Sequence, residues 1–159
     1  MTMNQTATTA PASGRPDRWR ENLARGNLAA VILLLIQYGL GMGVNLYVAL
    51  PAAGSGGRDI GKAFTSGPAL AVHAVLGLLL LLMAISMIVR AALARHRASI
   101  VTSAVGLLAI LAAAGYGASF VHDSTNAASF GMALATGVAL LSYVIGLFLT
   151  RRPAAREAP

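Results

Sequence analysis

The 159-residue chain contains no cysteine. Disulfide staples, thiolate metal sites and thiol redox chemistry are excluded together, and with them any quinone-linked thiol oxidoreductase. Charge is scarce too, at 11% of residues, and none lies inside four long apolar runs at about 28–50, 68–90, 99–122 and 127–150, the second of which Arg90 closes. A small proton-coupled exporter needs an intramembrane carboxylate, so the transporter class is disfavoured. No nucleophile, base and acid stand at a diagnostic spacing, so the default expectation is a non-enzymatic protein. The formal charge of +7 raises nucleic acid as a partner. Yet the arginines flank apolar runs and form no basic stripe interleaved with aromatics, so nucleic acid is excluded.

What is present is apolar. Hydrophobic residues make up 57% of the chain and its mean hydropathy is +0.70, more than a soluble domain of this size can hide. A helix of about 20 apolar residues crosses the roughly 30 Å hydrocarbon core of a bilayer. Four such runs predict an all-α integral membrane protein. The first is too long for a signal-peptide core and is read as an anchored helix ending at Pro51. Residues 1–27 are expected to form a disordered basic tail, although Trp19 and Leu23 could share one face of a short interfacial helix. Residues 151–159 form a second tail.

Stretch 51–67 is a Gly-rich loop. Its Gly56–Lys62 segment has phosphate-loop spacing, but Ala63 stands where a hydroxyl is required and no strand precedes it, so no nucleotide site is assigned. Only residues 90–98 and 123–126 separate the later runs. Short connections force antiparallel neighbours, which predicts an up-down four-helix bundle. Arg15, Arg18, Arg20, Arg25, Arg90, Arg95, Arg97, Arg151, Arg152 and Arg156 then share one side, against Arg58 and Lys62 on the other. The basic side faces the cytoplasm, giving an N-in/C-in topology. Ala, Gly and Arg usage suggests a GC-rich bacterial genome, hence a bacterial plasma membrane.

Within that topology His73 begins the second helix and His122 ends the third on the same outer side. Asn45 joins them near the end of the first helix, with Tyr116, Ser119 and Ser129 in the same half. Gln37, Gly41 and Asn45 stack at four-residue spacing and are expected to look inward. The same is expected of His73, Gly77 and Ala84, and of Ala114, Gly115, Ala118 and His122, because small residues line packed faces in membranes. Two readings stay open. The histidines and Gln37 are interhelical hydrogen-bonding groups, or His73 and His122 ligate one b-type haem with Gly77 leaving room for the macrocycle and Asn45 orienting a ring. A register offset weighs against the haem, since His73 lies inside its helix and His122 at the end of its own. His96, between Arg95 and Arg97, is expected to be solvated. Gly39 and Gly43 form a GxxxG pair suited to a membrane-protein partner or a second copy.

The histidine placement and helix count loosely resemble the four-helix cores of b-type membrane cytochromes. The two-haem families use four histidines, so the resemblance implies at most one bis-histidine haem. The stretches Gln37–Tyr47 and His73–Gly77 also look like those of small uncharacterised bacterial membrane proteins. That likeness implies an accessory or small-ligand-binding bundle and no particular activity.

Overall fold

A computed structural model describes residues 15–47, 67–123 and 125–151. The rest, including the Gly56–Lys62 segment and both tail ends, lies outside the described residues. Four helices account for nearly all that is described: α1 (Arg15–Tyr47), α2 (Pro68–Leu93), α3 (Arg97–Asp123) and α4 (Asn126–Arg151). Each is long and apolar enough to cross a membrane. The chain is a multi-pass membrane protein built as an up-down four-helix bundle. Each helix packs on the next in sequence, and α4 closes the ring against α1.

The helix ends follow from local chemistry. Pro68 occupies the first turn of α2, where its missing N–H costs nothing, and Gly67 before it adopts φ 152°, open to glycine but not to a bulkier residue. Between α2 and α3 the chain reverses over Ala94, Arg95 and His96. Arg95 takes the left-handed conformation (φ 52°), and its N–H donates to the Ala92 carbonyl at 3.0 Å. His96 then caps α3, because its Nδ1 accepts the Ser99 backbone N–H at 3.3 Å. Thr125 caps α4 in the usual way, its Oγ1 accepting the Ala128 N–H at 3.3 Å. His96 is therefore a half-buried cap rather than the solvated residue its arginine neighbours suggested.

The first helix differs from the sequence expectation. It begins at Arg15, not near Leu28, and its 33 residues give a length of about 50 Å. Leu23 and Asn27, placed by the sequence in a disordered tail, are each 2% exposed, and Leu23 packs with Met87 and Ala91. The reason is a continuous stripe. Leu23, Asn27, Ala30, Leu34, Gln37, Gly41 and Val44 alternate spacings of four and three, the repeat that keeps one face turned to a bundle axis. The other helices carry the same alternation, through Leu70, His73, Gly77, Leu80, Ala84, Met87 and Ala91 in α2, and Ser99, Ser103, Gly106, Ile110, Ala113, Gly117 and Phe120 in α3. In α4 it runs through Ala128, Met132, Ala135, Ala139, Ser142 and Gly146. Large side chains such as Leu35, Leu78, Leu108 and Phe148 point outward to lipid.

Lipid is as apolar as leucine, so the bundle is held by close packing rather than by removing apolar surface from water. Glycines let side chains from neighbouring helices press onto backbone. A Cβ on Gly106 would lie 2.8 Å from the ring of Tyr143, which is 1% exposed. Gly146 is met in the same way by Asn27. Gly39 and Gly43 behave differently: a Cβ on either would meet nothing within 4 Å among the described residues.

Candidate functional site

The same stripes explain where the interior opens. Toward the arginine-rich end the inward positions hold Leu23, Leu34, Leu80, Met87, Ile110 and, beside them, Tyr143, and these form packed cores. Toward the other end they hold Gly41, Gly77, Ala113 and Gly117. Polar side chains of the neighbouring helix cover Gly41 and Gly77, and a cavity of about 730 Å³, within the range of small-molecule sites, lies beside these residues. Leu34, Leu80 and Ile110 line it and also belong to the packed core, so they form its floor. All four helices contribute walls. No residue of α3 from Leu111 to His122 is buried: several of them line the cavity, while the Tyr116 ring packs over Gly131 of α4.

The polar groups of the wall are few. Gln37 and His73 meet across α1 and α2: the Gln37 amide nitrogen donates to the His73 carbonyl at 2.8 Å and lies 3.4 Å from the ring Nε2. The ring sits over Gly41, whose absent Cβ would be 3.0 Å from Cε1, and the Gln37 amide sits over Gly77, whose absent Cβ would be 3.2 Å away. Two glycines and two polar side chains thus interlock. Gln37 Oε1 and His73 Nδ1 are both buried with no partner among the described residues. Ser119 and Thr136 also line the cavity, but each hydroxyl donates back to its own helix, to Gly115 at 3.2 Å and Met132 at 2.8 Å.

No family model, no curated protein and no solved structure matches this chain. The site therefore rests on its own geometry. The four residues that the sequence offered as a cofactor site, His73, His122, Asn45 and Gly77, line the same cavity. Their orientations are less uniform. The residues of the stripe expected through Ala114, Gly115, Ala118 and His122 are all exposed, while Ala113, Gly117 and Phe120 are half-buried; Ala114, Ala118 and His122 nonetheless line the cavity. His122 lies two residues past Phe120, about 200° round the helix. Asn45 is likewise exposed, at the rim.

This arrangement fits a bis-histidine haem poorly. The room over Gly77 is taken by the Gln37 amide. Helix α3 ends at Asp123, so His122 stays one residue from its helix end while His73 stands five residues inside its own. Measured from those ends the offset is about 6 Å. Sequence reasoning missed two other buried polar groups, Asn27 Oδ1 and the Tyr143 hydroxyl, both without a partner among the described residues. Neither lines the cavity, and both press onto glycines of the packed half.

Proposed function

We propose that this protein is a membrane-embedded binding protein for a small, largely apolar molecule, held in the hollow half of the bundle with Gln37 and His73 at its polar end. The observation that carries this reading is the cavity of about 730 Å³, walled by four helices and lined by few polar groups. An accessory or carrier role follows from the lack of a catalytic set, and Asn45, Ser129 and His122 then form the polar rim. The arginines gathered at the opposite end orient that rim outward and the termini to the cytoplasm. Gly39 and Gly43, where an added side chain would meet open space among the described residues, are the surface offered to a second copy or a membrane partner.

The test uses a probe with an apolar body. Farnesyl methyl ether is added to the purified full-length chain in detergent, and native mass spectrometry records one-to-one adducts. Adduct formation is expected with the natural sequence and its loss with Ala118→Phe, which puts a ring into the cavity from an exposed position that does not disturb packing. Equal adduct formation by both would refute the cavity as the site. The alternative, one b haem on His73 and His122, is favoured only by both histidines lining one cavity. A haem-supplemented preparation without a b-type α-band, or with one that survives His73→Ala, removes it.

A further inference from the structure

We infer that the occupant of the cavity is a membrane lipid, one hydrocarbon chain of which enters sideways from the leaflet on the His122 side; the inference rests on the cavity reading above. Which way the cavity opens follows from the flanks of the inward stripes. Tyr116 stands one residue before inward Gly117, and its ring covers Gly131 of α4, one residue before inward Met132. Like flanks meet there, as they do between antiparallel neighbours, and that seam is shut. Ala114, Ala118 and Val121 each stand one residue after an inward position, about 100° round α3, on the flank that the ring order turns toward α2. All three line the cavity. The corresponding flank lines it on every other helix, through Ala74 and Leu78 in α2, Tyr38 and Met42 in α1, and Ser129 and Ala133 in α4. No residue standing one before an inward position in α1, α2 or α4 does so.

Among the described residues the cavity is therefore a slot between two helix pairs. Gln37 clasps α1 to α2 through the His73 carbonyl, and Tyr116 clasps α3 to α4, while the slot runs along the α2–α3 and α1–α4 seams. Tyr38, Met42, Leu78, Ala114 and Ala118 line it and are exposed on the sides of the bundle, so its openings face hydrocarbon. Length then selects the occupant. The lining runs from Leu34 to Asn45 in α1 and from Leu70 to Leu81 in α2, about 16 Å along the axis. Half of the roughly 30 Å hydrocarbon core is about 15 Å, the depth of one leaflet. A slot one leaflet deep and open to that leaflet takes a lipid chain in its ordinary orientation, whereas a compact molecule would fill only part of it. Charge agrees, because no Asp, Glu, Lys or Arg is among the lining residues, and a buried headgroup charge would go unmet. Asn45 and Ser129 stand at the rim, level with the headgroup of a lipid in that leaflet.

The experiment reads contacts at methionine methyls. Met132 is half-buried and lines the cavity, exposed Met42 lines it too, and Met87 lies in the packed half. The full chain, deuterated except for ¹³C-labelled methionine methyls, is placed in nanodiscs of palmitoyl-oleoyl phosphatidylcholine, and the signals are assigned by their loss in Met42→Leu, Met87→Leu and Met132→Leu. Nuclear Overhauser cross-peaks from lipid chain methylenes are expected at Met132 and Met42 and not at Met87, and chain-deuterated lipid is expected to abolish them. Farnesyl methyl ether is expected to remove the Met132 peaks by displacing the chain. Ala118→Phe combined with Ala133→Phe, one in each open seam, is expected to remove them too while the Met87 shift stays. Peaks from the ether at Met132, with none from lipid, would overturn the lipid chain and leave the cavity reading standing. Lipid peaks that survive both the ether and the double substitution would put the contact outside the slot and overturn the inference as well. Peaks from neither lipid nor ether would overturn both readings.

Discussion

Two glycine-to-alanine substitutions isolate the packing that holds the closed half together. At Gly106 the new methyl would fall 2.8 Å from two ring carbons of Tyr143, well inside the 3.5–4.0 Å at which carbon atoms attract. The ring is 1% exposed, so to yield it must leave its rotamer or α3 and α4 must separate. Overpacking of this kind costs about 1–3 kcal/mol. At Gly39 the same methyl meets nothing within 4 Å among the described residues. Both substitutions gain the helix propensity of alanine, about 1 kcal/mol, so that contribution cancels when they are compared. The difference between the two variants is the steric cost alone, a factor of about 5–150 in the unfolding constant. Titrating the purified protein from mild detergent into SDS, with helicity followed by circular dichroism, measures it. Equal stability of Gly106→Ala and Gly39→Ala would refute the packing of Tyr143 against α3.

Two further expectations follow from the turns and the topology. His96→Ala removes the acceptor that caps α3 and is expected to cost about 1 kcal/mol in the same titration, whereas His96→Asn, which keeps a capping oxygen, stays near the parent; equal losses would place the role of His96 elsewhere. Because the chain has no cysteine, single cysteines report sidedness without background: an impermeant maleimide is expected to label Asn126→Cys in intact cells and Arg97→Cys only after permeabilisation, and the reverse pattern would invert the proposed orientation.

The architecture was legible because two signals agree. Run length set the four spans, and the short links beside Arg95 and Ser124 made neighbours antiparallel. Helix α1 was cut short at Leu28 because the charges of Arg18, Arg20 and Arg25 lowered the local hydropathy. The spacing of Leu23, Asn27 and Ala30 already continues the inward stripe through them. The same period would have placed Gln37, Gly41, His73 and Gly77 inward, as the sequence suggested, and would have turned His122 away from Phe120. What the sequence could not supply is the pairing. That Gln37 lies over Gly77 and His73 over Gly41 depends on the relative height of α1 and α2, which no periodicity within one helix fixes. Nor does a run of glycine and alanine announce a cavity by itself. Gly106 and Gly146 are just as small, yet Tyr143 and Asn27 fill them from across the bundle.

The bundle is hollow in the half that holds Gly41 and Gly77 and closed in the half that holds Met87 and Tyr143. A farnesol analogue carrying an alkyl diazirine, irradiated with the protein in nanodiscs and mapped by mass spectrometry, reads this directly. Adducts are expected on cavity-lining residues such as Gly41, Ala114, Ala118 and Met132, with competition by unlabelled farnesol. Adducts confined to lipid-facing positions such as Leu108 and Leu141, unaffected by competitor, would contradict it.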